Sequence, residues 1–174
     1  WAYSSANTSY TDITTPAGNT TTADTFNTDT SKLASVINDA AYFGLSEKFD
    51  AMSWELSTQG SGGTMTWEYC SAVDGSSACT TWSALSFVYS SGTNFTSTIG
   101  SYLAFTPPSD WAASKVNGEG TAYYYIRART TVAFSSAAAS PIGTQFVSFT
   151  GINRITTPMN PYSDVTQFFW QETA

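Results

Sequence analysis

Residues 120–134 read GTAYYYIRARTTVAF, and they alternate. Tyr124, Ile126 and Ala128 fall on one side of an extended chain, with Tyr125, Arg127 and Arg129 on the other. A period of two marks a strand with one buried face. The same period returns at 51–58, where Met52, Trp54 and Leu56 alternate with Ser53 and Glu55. It returns again in TMTWEY and TTWSALSFVY. The run SYLAF is a further strand, stopped by Pro107-Pro108, since proline cannot donate to a sheet ladder. GTQFVSFTGI is the last. LASVIND at 33–39 and the stretch around Asp110 and Trp111 each predict one short turn of helix. No helix-length segment repeats at 3.6 residues, and Gly, Pro and Ser punctuate the alternating runs. The expected fold is therefore all-β, an antiparallel β-sandwich or jelly-roll-like domain.

Composition narrows the function more than the fold. The 174 residues include 41% hydrophobic but only 11% charged side chains, well under the usual quarter. Ser and Thr take the place of charge, which suits a neutral-surfaced extracellular protein. Net charge is −7, with six Lys and Arg in all. So few cations neutralise few phosphates, which argues against nucleic acid as a partner and against an anionic membrane surface. No apolar run reaches the length of a membrane-spanning helix. The chain begins at Trp1 rather than Met, which leaves two expectations open, a processed leader or a start inside a longer product.

The two cysteines, Cys70 and Cys79, flank a polar loop, SAVDGSSA. The spacing fits neither a zinc site nor a Cys-x-x-Cys redox pair, and the chain has no His to complete a metal site. Asp74-Gly75 supplies a turn able to take positive φ. The reading is a β-hairpin whose arms face each other at a disulfide, and the alternative is two buried free thiols. A disulfide here is worth roughly 2.5–3 kcal/mol by loop entropy and persists outside the reducing cytosol.

Three parts are expected along the chain: an arm at 1–32, the sandwich at 33–151, and a tail at 152–174. The arm is rich in Thr, Ser, Asn and Asp, with Trp1, Tyr3, Tyr10, Ile13 and Phe26 spaced as anchors. It buries too little to fold alone and could span roughly 100 Å when extended. It reads equally as a disordered linker or as an arm laid along a neighbouring subunit. The tail is broken by Pro158 and Pro161 and carries Phe168, Phe169 and Trp170. Those rings need a seat, on the chain's own domain or on another subunit.

Little in the sequence points to catalysis. Without His there is no His-dependent acyl transfer, and neither a nucleophile elbow nor a phosphate loop occurs. Glu55 with Glu68, or Asp110 with Glu119, offers a pair of carboxylates for glycoside hydrolysis, but any sheet with 13 acids offers such pairs. A calcium site lacks an Asp-rich loop, and no cofactor is expected. Arg127 and Arg129 read as a structural ladder, stacked on aromatics or paired with Glu68 or Asp110. Trp54, Trp67, Trp82 and Trp111 read as core or ladder, with Asp110 as a local cap. A sugar-binding surface is the chief rival reading, although six Trp over five segments look more like core than one platform. Sequons at Asn7, Asn19 and Asn94 are what chance gives in a chain this rich in Ser and Thr.

Across residues 40–146, YFGLSEKFDAMSWELST, MTWEYC, TTWSAL, NFTST, LAFTPPSDWAASKVNGEGTAYYYIRART and PIGTQ follow in order. Together they resemble a β-sandwich module of bacteriophage virion and tail-associated proteins and of related secreted bacterial proteins. The residues that carry the resemblance are Tyr42, Phe43, Gly44, Trp67, Glu68, Tyr69, Trp82, Phe95, Phe105, Pro108, Asp110, Trp111, Val116, Asn117, Gly118, Ile126, Arg127 and Arg129. The chain departs from that pattern at the hairpin, where Cys70 opens a longer loop closed by Cys79. The resemblance implies a structural or adhesive role, with no catalytic residues to carry over.

The expectation is thus a structural subunit of a virion or extracellular assembly. A phage particle protein comes first (head decoration, capsid-associated or tail). An extracellular filament or a carbohydrate-binding adhesive module is the alternative. Its partners would be copies of itself and other particle proteins, with a glycan as a minor option. Contacts are expected through Trp1, Tyr3, Tyr10, Ile13, Phe26, Phe168, Phe169 and Trp170.

Overall fold

The computed structural model describes residues 1–14, 36–97 and 101–135, and the backbone of 142–149. Ten strands lie among them: β1 (Ala2–Ser4), β2 (Ser9–Thr11), β3 (Ala40–Leu45), β4 (Ala51–Thr58), β5 (Thr64–Val73), β6 (Cys79–Ala84), β7 (Phe87–Ser91), β8 (Ser101–Phe105), β9 (Tyr124–Val132) and β10 (Ile142–Phe149). They form a six-stranded sheet, in the order β2-β1-β3-β9-β5-β6, and a four-stranded sheet, β10-β4-β8-β7. Every strand pair is antiparallel. The fold is the expected all-β sandwich.

The alternation read from the sequence sets the two inner faces. Met52, Trp54 and Leu56 of β4 and Leu103 and Phe105 of β8 meet Phe43, Met65, Trp67, Ile126 and Ala128 of the other sheet. Trp67 sits at the centre. Its ring lies 5.5 Å from Trp54, 5.9 Å from Phe43 and 5.7 Å from Phe95. Its indole nitrogen donates to the Thr93 carbonyl at 2.9 Å, so the one polar atom of the ring is satisfied inside an apolar layer. Phe95 takes φ 55°, an unfavourable conformation for an aromatic residue. It is held there because its fully buried ring fills the space between Trp54 and Trp67.

Several local expectations are corrected. Residues 1–14, read as part of an arm, belong to the sandwich: β1 and β2 form a hairpin, and β1 pairs with β3 through Ala2 and Ala41. Short alternating apolar residues in a Ser/Thr-rich segment are enough to extend an existing sheet, where they could not build one alone. Around Asp110 and Trp111 there is a turn, closed by Trp111 N–H on the Pro108 carbonyl, because two prolines in succession hold the chain extended. At 36–39 the Asp39 N–H closes a turn onto the Val36 carbonyl; residues 33–35 lie outside the described residues. So do Phe26 and the tail with Phe168, Phe169 and Trp170.

The cysteines are joined, with Cα atoms 5.8 Å apart, but they are not opposite each other in the ladder. Cys70 faces Trp82, and Cys79 faces Val73, because β5 is bulged between Cys70 and Val73. The positive φ of the loop falls on Ser77, not on Asp74-Gly75. Asp74 explains this: its Oδ1 accepts from Ser76 N–H, Ser76 Oγ and Ala78 N–H at 2.7–2.9 Å. That side-chain turn fixes the loop and leaves the left-handed position three residues on. A disulfide fits an oxidising compartment.

Candidate functional site

The outer face of the six-stranded sheet is not a plain polar surface. The residues that alternate away from the core there are Tyr42 on β3, Tyr125, Arg127 and Arg129 on β9, and Glu68 on β5. Register places Tyr42 and Glu68 on either side of Arg127. Tyr42, Tyr125, Ala40 and Val116 form a second buried cluster, against which Trp1, Tyr3, Trp82 and Tyr123 pack.

One carboxylate organises the ladder. Glu68 accepts from Arg127 Nε at 2.7 Å, and from Arg129 Nε at 3.1 Å and Nη2 at 2.9 Å. Burial pushes the Glu68 carboxyl up. The hydrogen bonds and charges of Arg129 and Arg127 outweigh it and hold the group below its ordinary value. The guanidinium of Arg127 lies over the Trp82 ring, 4.2 Å from its centre. Arg127 and Arg129 thus form the ladder expected from the sequence, with Glu68 as the shared partner. Asp110 is not part of it; it accepts from the Tyr69 hydroxyl at 3.0 Å. Trp82 stands in this ladder, whereas Trp54, Trp67 and Trp111 are buried between the sheets. The Trp111 indole donates to the Tyr125 carbonyl at 3.1 Å.

The segment after Trp111 lies against the same face. It is tied to the sheet by Ala112 N–H on the Cys70 carbonyl, and to the hairpin tip by Lys115 N–H on the Ser77 carbonyl. Its turn, Val116-Asn117-Gly118-Glu119, has φ 53° at Asn117 and 71° at Gly118. Two successive left-handed residues make the tight turn for which Asn-Gly is suited. Glu119 then folds back. It accepts from Val116 N–H at 2.9 Å, from the Tyr125 hydroxyl at 2.7 Å and from the Trp1 indole at 2.6 Å. Burial, then the bond to Glu119, pushes the Tyr125 hydroxyl far up, so it remains a neutral donor.

Between this turn, the hairpin tip and β2 lies a groove of about 480 Å³. Tyr10, Trp82, Lys115, Asn117 and Arg127 line it, with Ser76 and Cys79 on the hairpin side. Sequence reading identified Arg127, Trp82 and Tyr10 separately, without bringing them together. It missed Lys115, and it singled out Asn117 only within the Val-Asn-Gly pattern, with no place in a groove.

Of the carboxylate pairs considered for hydrolysis, one is divided between the two sheets and the other is taken up by separate donors. Glu55 and Glu68 project from the outer faces of different sheets, since each neighbours an inward Trp on its own strand. Asp110 and Glu119 are each engaged by a different tyrosine. Of the expected contact residues, Trp1, Tyr3 and Tyr10 pack on the outer cluster and Ile13 on the central core. Their contacts among the described residues are with the chain's own sheet.

The second surface feature is an edge. β7 ends the four-stranded sheet, and no described strand pairs with its far side. Val88, Tyr89 and, next to it on β8, Tyr102 are 51%, 70% and 44% exposed. Neither FVYSS nor SYLAF carries a charge. No protein-family model, no curated protein and no solved structure matches this chain.

Proposed function

We propose that the chain is a structural subunit of an extracellular or virion assembly, a phage particle protein in the first instance, that joins copies of itself through the β7 edge. The observation that carries this reading is that edge. Soluble proteins usually protect a terminal strand with Lys, Pro or an inward charge. Here no described strand pairs with the far side of β7, Val88, Tyr89 and Tyr102 are exposed beside it, and among the described residues its one protective feature is a bulge after Phe87. Two such edges pair antiparallel about a two-fold axis. Dilute charge across the surface keeps repulsion between copies low. The module resemblance supports a particle rather than a filament. In the same reading, Phe26 and the aromatics Phe168, Phe169 and Trp170 add contacts to neighbouring subunits.

Light scattering after size exclusion tests this. Multiples of 18.7 kDa that dissociate in a Val88→Lys/Tyr89→Lys double variant support it. A single species of one chain's mass at every concentration overturns it.

A further inference from the structure

The groove on the other sheet is chemically unlike the rest of the molecule. The chain is acidic, with six Lys and Arg against 13 Asp and Glu, yet two of those cations line one groove. Arg127 turns its Nε to Glu68, and no described residue accepts from its two terminal nitrogens. Lys115 has no ion-pair or hydrogen-bond partner for its ammonium among the described residues. The one carboxylate lining the groove, Glu119, is already bonded by Trp1, Val116 and Tyr125. Among the described residues, the Lys115 ammonium and the terminal nitrogens of Arg127 are therefore left to meet a ligand, next to an indole and a phenol. The Tyr10 hydroxyl is driven up by burial and by its contact with Tyr42, so it stays neutral. Ser76 and Asn117 add a hydroxyl and an amide to the rim.

We infer that this groove binds a sugar residue bearing a carboxylate, with the acid on Arg127 and Lys115 and the ring against Trp82 and Tyr10. A guanidinium held over an aromatic ring, with its Nε fixed on a carboxylate, is restrained in position and keeps its terminal nitrogens for a planar carboxylate. Aromatic side chains with scattered hydroxyl and amide groups match a sugar, which has apolar faces and a polar rim. The volume is within the range of pockets that hold small ligands, and the open side lets a polysaccharide continue past the bound residue. The disulfide fits this role, because Cys79 and Ser76 form one wall and the hairpin tip is fixed to Lys115. The inference does not depend on assembly through β7.

Isothermal titration of the full chain with a galacturonic acid trisaccharide, and with the neutral galactose trisaccharide, tests it. Saturable binding of the acid, weakened by salt, absent for the neutral sugar and reduced about tenfold or more in Lys115→Ala, is the expected result. Lys115 is anchored through its backbone, so Lys115→Ala keeps the fold, checked by an unchanged melting temperature. No binding of the acid at millimolar concentration overturns the inference, as does equal binding of the neutral sugar or unchanged affinity in Lys115→Ala. Tighter binding of a sulfated galactose trisaccharide than of the acid overturns the choice of carboxylate.

Discussion

Arg127 is held between Trp82 and Glu68, its guanidinium 4.2 Å from the centre of the indole and its Nε 2.7 Å from the carboxylate. The arrangement joins three strands, β5, β6 and β9, through side chains on the outer face of the sheet. Arg129 binds the same carboxylate, so Glu68 balances two cations.

Replacing Glu68 should therefore cost more than a surface ion pair. Its side chain is 10% exposed, and those of Arg127 and Arg129 are 16% and 27% exposed. Removing the shared acceptor leaves two partly buried guanidinium groups without their partner, discounted for solvent. Glu68→Gln should lose about 2–3 kcal/mol, read as a lower urea midpoint at neutral pH. A midpoint within error of the parent would mean that the ladder contributes nothing.

Acid should weaken the same ladder. The Glu68 carboxyl is held below its ordinary value of 4.5 in the fold. The unfolded chain therefore takes up its proton first as pH drops. The stabilisation is fully present above 4.5 and is lost as pH falls through the lower, folded value. Urea midpoints measured across that range should fall for the parent chain. They should fall less for Glu68→Gln, which has no carboxyl at this position to titrate.

Reduction of the Cys70–Cys79 bond should leave the sandwich folded. The bond closes a small loop in one hairpin, worth about 2.5–3 kcal/mol in chain entropy, and although Cys70 is buried, neither cysteine belongs to the main cluster between the sheets. A lower urea midpoint with retained near-ultraviolet dichroism is expected under reductant. Loss of all tertiary signal would show that the hairpin supports the core.

Gly44 is a position where any side chain collides. A Cβ there would come within 2.6 Å of Tyr125 Cδ1 and closer still to Cε1. Tyr125 cannot yield freely, because its hydroxyl is bonded to Glu119. Gly44→Ala should destabilise by about 1–3 kcal/mol, seen in thermal melts. Adding Tyr125→Ala to Gly44→Ala should cost less than Tyr125→Ala costs in the parent chain.

The sandwich was legible because its strands alternate strictly: Trp54 and Trp67 point inward on the period that the sequence shows. Glu68 was legible as one of two candidate partners of the arginines, since one face of β5 and one of β9 carry opposite charges, but only the structure separates it from Asp110, which takes the Tyr69 hydroxyl instead. The place of residues 1–14 was not, because a strand added to an edge needs few apolar residues of its own and takes its order from β3. The register at the cysteines was hidden by a bulge, which shifts pairing by one residue and leaves no compositional trace. The groove escaped for a different reason. Lys115 and Asn117 reach it from a segment with no periodicity, which backbone bonds to Cys70, Ser77 and Tyr123 carry across the sheet.

Pairing through the edge of β7 would be read by amide hydrogen exchange at Phe87–Ser91 across a range of protein concentration. These amides should become protected as concentration rises, in step with the mass seen by light scattering, and both changes should vanish in the Val88→Lys/Tyr89→Lys variant. Exchange at β7 that stays fast and independent of concentration while larger species form would contradict it, placing the subunit contact elsewhere on the chain.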